Sequence, residues 1–420
     1  MFHHLKQQMK KYTITFLCLI LCSSAIPTKI FAADVATDAI PGWPKGPDPV
    51  YSDTAVLIEA STGAVLYDKG MNEVLYPASI TKIMTAIVAL ENSNLTDTVT
   101  FTDTACALAV PGNARIDAKP GEIMTMEQCL YALMLSSANE VACQIAIQIA
   151  GSEAAFAEMM NAKAAEIGCT NTHFTNASGL HDTNHYTTAY DMALIMQYAI
   201  QNQEFLTITG ASSYTIPATN LSAERTLSTH NAMMVPGDFY YEGTFSGKSG
   251  NTSEAGSTLV TTATRNNMTL ICVVLKAADG GQSVADTTAL MDYGYNNFTL
   301  TDVSVQNQER TGNVILPNGI DFSSLIEDTD AADSTFHYSY QGHFMGSAVS
   351  NIEEKTAETN DISSVSTVSP SPVISEPSEN ENFFTPAHII MIILVVMILA
   401  GIFCIFLGLK KSKKKNRKRR

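Results

Sequence analysis

The chain has 420 residues, room for two or three domains, and carries 41 Asp and Glu against 25 Lys and Arg, a formal charge of −16. That balance excludes a nucleic-acid partner, because an acidic surface repels polyanions. Five cysteines outside the terminal apolar segments, Cys106, Cys129, Cys143, Cys169 and Cys272, show no metal-ligand spacing, which excludes a cysteine-built metal centre.

Residues 1–33 combine Lys6, Lys10 and Lys11 with the apolar run YTITFLCLILCSSAI and small residues at Ala32 and Ala33, the pattern of a secretory signal peptide. An extended, Pro- and Gly-rich lead-in follows over 34–49, with PGWPKGPDP at its end. TAVLIEA and AVLYDKG flank a Ser-Thr-Gly turn and predict a hairpin over 54–69. The run ITKIMTAIVALE, free of Gly and Pro, predicts a buried helix over 80–91 that begins near Ala78 or Ser79. Residues 126–166 read as two helices separated by Gly151, the second stopping at Gly168. GSTLVTTATRNNMTLICVVLKA predicts a second hairpin over 256–277, and QSVADTTALMDYGYNNF a helix that covers the sheet. Strands near both ends of the 50–298 segment suggest one sheet closed by its termini, with a helical region inserted.

Residues 299–349 are strand-like and predict a small β-rich module. Residues 350–386, rich in Ser, Thr, Pro and Glu, cannot bury enough apolar area to order themselves and read as a disordered stalk. Ala387 to Leu409 is 23 residues long without a formal charge. It spans roughly 34 Å as a helix and predicts a single transmembrane segment. Nine Lys or Arg in the last eleven residues, 410–420, form a polybasic tail that stays cytoplasmic, so the body of the chain is expected outside the membrane. Without signal and tail, twelve basic residues face all 41 acidic ones, a formal charge of −29. The five remaining cysteines are an odd number, so at least one is expected as a free thiol or an intermolecular partner; they read mostly as small buried hydrophobes.

Three short elements carry the chemistry. Ser79 and Lys82 stand three residues apart in YPASITKIMTA, a spacing that puts hydroxyl and ammonium on one helix face about 5–6 Å apart at Cβ. Alone this is weak, since Ser412 and Lys415 repeat it in the basic tail. Ser137-Ala138-Asn139 follows in LMLSSANE, and Lys248-Ser249-Gly250 in GTFSGKSGNTSEAGSTL, just before the second hairpin. A serine hydroxyl needs a neighbouring base to become a nucleophile, and Lys82 can be that base only when its amine is neutral. Burial among Ile80, Ile83 and Met84 and a second cation such as Lys248 both push its pKa down.

These elements, in this order, resemble the serine penicillin-binding proteins and β-lactamases. The stretches STGAVLYDKG, YPASITKIMTA, LMLSSANE, EIGCTNTHFTNASGLHDTNHYTTAYDMALI and GKSGNTSEAGSTL resemble the low-molecular-weight D-alanyl-D-alanine carboxypeptidases, peptidase family S11, almost continuously over residues 50–298. The resemblance implies an α/β (α+β) fold, an antiparallel sheet flanked by helices with an inserted helical subdomain and the active site at their junction. It implies Ser79 as nucleophile, Lys82 as base and Ser137 as a proton bridge to the leaving amine. Asn139 is implied to hold the substrate amide and fix Lys82, while Lys248, Ser249 and Gly250 grip the terminal carboxylate. The backbone N–H groups of Ser79 and Asn251 are implied as an oxyanion hole. The substrate implied is a peptidoglycan stem peptide, with β-lactams as covalent inhibitors and no metal or organic cofactor. Ser249 is a departure, since the family usually has Thr there, although the hydroxyl is kept.

Two rivals stay open on the sequence. A class A β-lactamase shares the first and third elements but adds a glutamate that activates water, for which Glu166 is the candidate. A non-catalytic wall-binding or β-lactam-sensing protein would be acylated without turning over a peptide. His181, His185 and His230 invite a Ser-His-Asp reading, but no Gly-x-Ser-x-Gly elbow is present, and structural roles are expected for them.

Overall fold

The computed structural model describes residues 40–330 and 335–351. The signal segment 1–33, the span 387–409, the tail 410–420 and nearly all of the stalk lie outside the described residues. Among the described residues no helix is long and apolar enough to cross a membrane.

In chain order the first half forms β1 (Thr54–Glu59), β2 (Val65–Lys69), α1 (Lys82–Asn92), β3 (Thr98–Thr100), α2 (Asp103–Cys106), β4 (Ile123–Thr125) and α3 (Met126–Leu135). Then come α4 (Asn139–Ala150), α5 (Glu153–Ile167), α6 (Ala189–Ala199), α7 (Gln203–Thr209), β5 (Ser213–Ile216) and β6 (Arg225–Ser228). The second half adds β7 (Thr244–Thr252), β8 (Gly256–Arg265), β9 (Met268–Ala277) and α8 (Gly280–Asn297). It ends with β10 (Phe298–Asp302), β11 (Arg310–Pro317), β12 (Ile326–Asp330), β13 (Thr335–Tyr340) and β14 (His343–Ser350).

The main sheet is antiparallel throughout, in the order β2-β1-β9-β8-β7. The two predicted hairpins are β1–β2 and β8–β9, and β1 pairs with β9 in register Leu57 to Cys272, so distant parts of the sequence close the sheet. Everything from α1 to β6 is inserted between β2 and β7. Side chains alternate across a strand, and both faces are covered here. Ile271, Val273 and Leu275 of β9 enter the core shared with α1 and α3–α7, while Leu270, Cys272 and Val274 enter a second core beneath α8. This double burial explains why β9 is an unbroken apolar run.

The second core draws in the lead-in. Trp43 packs edge-on against Phe298 and His343, and its Nε1 donates to the Leu66 carbonyl at 3.1 Å. Residues 298–350 form a second five-stranded sheet in the order β10-β11-β14-β13-β12. Its Ile315, Tyr340 and Met345 share the core with α8.

One expectation is corrected. The apolar run 126–150 reads as a single helix, but the structure breaks it between Leu135 and Asn139. Ser137 sits at φ +56° and Ala138 is extended at φ −62°, ψ 120°. No Gly or Pro marks the break, so the apolar pattern runs straight through it. The left-handed conformation costs a non-glycine residue about 1–2 kcal/mol, and such strain gathers where a side chain must be aimed. By contrast Gly151 (φ +80°) and Gly168 (φ +100°) end α4 and α5 as expected.

Close packing of α8 on the sheet depends on Gly294. A Cβ there would stand 2.5 Å from Leu270 Cδ1 and 2.8 Å from Leu57 Cδ2, both fully buried. Gly294→Val should therefore lower the unfolding free energy in urea by about 2–3 kcal/mol through overpacking; an unchanged midpoint would show that the helix–sheet contact is loose.

Candidate active site

Ser79 lies in a 3-10 turn, Ala78–Thr81, that leads directly into α1. The turn is held from three sides. Thr258 Oγ1 on β8 donates to the Pro77 carbonyl at 2.9 Å, and Thr81 Oγ1 is 2.9 Å from His185 Nε2. At Gly179 (φ +81°) a Cβ would fall 1.9 Å from the Ala78 carbonyl oxygen, so only glycine lets the 176–179 loop approach this closely. Gly250 on β7 is equally confined, since its Cβ would lie 2.7 Å from the Ser79 backbone nitrogen. The edge strand thus touches the nucleophile's turn.

Lys82, the first residue of α1, is fully buried. Its Nζ lies 2.9 Å from Ser79 Oγ, 2.8 Å from Asn139 Oδ1 and 2.6 Å from the Ser178 carbonyl oxygen. Two of these three oxygens are amide carbonyls, which accept but never donate. A neutral amine has two N–H bonds for those carbonyls and one lone pair left for the serine hydroxyl. The arrangement fits that protonation state. Burial, then the positive charge of Lys248, hold the Lys82 pKa well below the ordinary lysine value, with Glu140 pulling partly the other way.

Asn139 opens α4 two residues after the strained Ser137, across the extended Ala138, so the break in the helix brings both residues to the site. Lys248 is buried in β7, and burial brings its pKa down to about 7. Its Nζ donates to the Ser249 carbonyl at 2.7 Å. Ser79, Ser137, Lys248, Ser249, Gly250 and Asn251 all line one cleft of about 470 Å³. All eight residues singled out from the sequence therefore gather here, with Lys82 and Asn139 bonded behind Ser79.

Sequence reasoning missed the third oxygen on Lys82. Ser178 presents it from a tight loop in which Asn176 Oδ1 accepts from the backbone nitrogens of Ser178 (3.1 Å) and Gly179 (2.8 Å). Thr85 of α1 donates to the Ala177 carbonyl at 2.6 Å and fixes the same loop. The Asn-Ala-Ser-Gly string is a turn signal, but nothing in it announces a lysine partner. Of the three histidines, His185 is buried and its pKa falls to about 4. Its Nδ1 accepts from the Thr175 backbone nitrogen, which makes it a brace for the turn. His181 packs edge-on to Tyr76, and His230 lines the cleft, its pKa lowered by burial and then by Lys248. Glu166 is far from a hydrolytic role: it pairs on α5 with Lys163 at 2.9 Å, 64% exposed. All five described cysteines are free thiols, three of them buried.

The model of the peptidase S11 family, D-alanyl-D-alanine carboxypeptidase, matches residues 44–279. The D-alanyl-D-alanine carboxypeptidase DacF of Bacillus subtilis is 33% identical over 260 residues, 61% of this chain and 65% of that protein. The chain thus spans slightly under two thirds of that relative's length. DacB2 of Mycobacterium tuberculosis, also a D-alanyl-D-alanine carboxypeptidase, is 32% identical over 63% of this chain and 87% of its own length. Among solved structures, the Streptomyces K15 DD-transpeptidase superposes with a TM-score of 0.56 at 28% identity, covering 60% of this chain and all of its own. Penicillin binding protein 6B from Escherichia coli gives 0.62 over 75% of this chain at 23% identity, a likeness of fold.

Two fully or nearly fully buried lysines in one site have a consequence for stability. Lys248 has a folded pKa near 7 against 10.5 when unfolded. Below pH 7 both states hold the proton, and the folded state bears the full cost of a buried charge. From pH 7 to 10.5 the unfolded chain binds more protons, so stability rises with pH. Lys248→Met should raise the melting temperature by about 5 °C at pH 6, with a gain that shrinks towards pH 10. Since Lys248 also depresses Lys82, the acid limb of Ser79 acylation should move to higher pH in that variant; a limb that stays put would separate the two lysines electrostatically.

Proposed function

Because the chain belongs to the D-alanyl-D-alanine carboxypeptidase family, the S11 low-molecular-weight penicillin-binding proteins, we propose that it removes the terminal D-alanine from peptidoglycan stem pentapeptides through an acyl-enzyme on Ser79. The observation that carries this reading is the 2.9 Å contact of Lys82 Nζ with Ser79 Oγ, beside two carbonyl acceptors at 2.8 and 2.6 Å that can take both N–H bonds of a neutral amine. Lys82 takes the hydroxyl proton as Oγ attacks the carbonyl carbon of the penultimate D-alanine. The backbone N–H groups of Ser79 and Asn251 receive the oxyanion, a kind of stabilisation whose loss typically costs about 10²–10³ in rate. The C–N bond then breaks, and the proton passes from Lys82 through the Ser137 hydroxyl to the departing amine. Water then gives a proton to Lys82 as its oxygen bonds to the acyl carbon, the bond from that carbon to Ser79 Oγ breaks, and Lys82 returns the proton to Oγ, which frees the shortened peptide and restores the resting site. Lys248 and the Ser249 hydroxyl hold the terminal carboxylate at the cleft edge, and Asn139 serves twice, on Lys82 and on the substrate amide. β-Lactams offer the same carbonyl without a leaving group that can depart, and so trap Ser79.

We place the catalytic body outside the cytoplasmic membrane, tethered by residues 387–409. The support is the signal-like segment at 1–33 and the polybasic tail at 410–420. The β-lactamase reading lacks its glutamate, since Glu166 is committed to Lys163 on the surface of α5.

The experiment is mass spectrometry of the full-length protein in detergent, first with a fluorescent penicillin and then with a pentapeptide ending in D-Ala-D-Ala. Ser79→Ala should abolish both labelling and D-alanine release while circular dichroism stays unchanged. Lys82→Arg should lose at least about 10³ of the acylation rate, since a guanidinium remains protonated. Stoichiometric acylation by penicillin with no peptide turnover would instead mark a sensor.

A further inference from the structure

One buried carboxylate beside the site has no part in the reaction described above. Glu140, the second residue of α4, follows Asn139 and is fully buried. Its Oε1 accepts from the Ile116 backbone nitrogen at 2.8 Å, and the Asn139 backbone nitrogen donates to the Ala114 carbonyl at 2.9 Å. The first turn of α4 thereby clasps the 114–116 loop, whose Ala114 lines the catalytic cleft. Oε2 is buried as well and has no hydrogen-bond partner. The clasp needs only one oxygen. The other leaves the carboxylate's charge unmatched in a place where little water screens it from its neighbours.

The base has two demands to meet. Its amine must be neutral to accept a proton, yet basic enough to draw one from a hydroxyl, because transfer weakens as the base does. Burial and then Lys248 push the Lys82 pKa well down, and Glu140 is the group that pulls it back. The other ionisable groups around the pair carry little of this. His185, behind the Ser79 turn, has a pKa of about 4 and is neutral. Cys106 of α2 faces Glu140 as a neutral thiol, its pKa raised to about 11. Burial raises the pKa of Glu140 itself, backbone N–H groups with that of Ile116 first pull it partly back, and Asp117 of the clasped loop adds to the rise.

We propose that Glu140 is a positioning residue whose negative charge sustains Lys82 as a proton acceptor, while its Oε1 holds the cleft wall against α4. The inference rests on the reading of Lys82 as the base that activates Ser79. An acid in the first turn of a helix also favours that helix through its dipole, and α4 has no side-chain cap at Ala138. That role alone would change the melting temperature and leave the pH dependence of acylation where it is.

The test follows Ser79 acylation by a fluorescent penicillin against pH, on the full-length protein in detergent. Glu140→Gln keeps an acceptor for Ile116 and removes the charge. Lys82 then loses its proton at lower pH, so the acid limb should move down by about one pH unit, opposite in direction to Lys248→Met. The plateau rate should fall as well, since the base is weaker. Glu140→Met removes the charge without burying an unpaired amide and should show the same limb. Its KM for a pentapeptide ending in D-Ala-D-Ala should also rise about fivefold, the equivalent of one lost hydrogen bond. Circular dichroism and plateau labelling report that both variants are folded. An acid limb that stays in place or moves up in both variants overturns the inference. A wild type whose acylation has no acid limb overturns Lys82 as the base, and the inference with it. A wild type labelled by penicillin that releases no D-alanine overturns the carboxypeptidase reading, while the acylation limb still decides the role of Glu140.

Discussion

Three oxygens converge on one buried nitrogen, and much of the fold is arranged to bring them there. Ser79 Oγ comes from the turn before α1, Asn139 Oδ1 from the start of α4, and the Ser178 carbonyl from the loop after α5. A lysine in such a place is costly to bury as a cation and comfortable as an amine. The two carbonyls do more than satisfy it. When the amine is neutral they can take both of its N–H bonds, which leaves its lone pair for the hydroxyl that has to lose a proton.

The same requirement explains the strained backbone around the site. Ala78 and Ser137 are both non-glycine residues at positive φ, at +50° and +56°. One precedes the nucleophile and the other breaks a helix so that Asn139 can begin a new one beside Lys82. Gly179 and Gly250 press the flanking loop and the edge strand against the Ser79 turn, where any side chain would collide with backbone. Lys248 adds a second buried charge that helps neutralise Lys82 and is itself poised near pH 7. Stability is given up at these points, and the double-faced sheet core supplies the reserve that makes this affordable.

Much of this was legible in the sequence because it is written in patterns of period and order. The hairpins β1–β2 and β8–β9 follow from strand formers around turn residues, and the Ser79–Lys82 contact follows from helical spacing. What stayed hidden is conformation that apolar periodicity does not encode. The run from Met126 to Ala150 keeps its buried residues on both sides of the break, so no residue type announces that Ser137 turns left-handed. Ser178 was invisible for a different reason: its contribution is a backbone carbonyl, which every residue owns. The glycines could be seen, but which of them face a backbone neighbour is a long-range fact.

The most direct measurement of the central claim is the protonation state of Lys82 in the resting protein. Side-chain NMR of lysine-labelled protein, with the Lys82 signal identified by its loss in Lys82→Arg, can follow that amine across the pH range in which Ser79 is acylated. The account predicts the shift of an uncharged amine wherever acylation is fast, with protonation on the acid limb. A Lys82 that remains an ammonium throughout that range would contradict it.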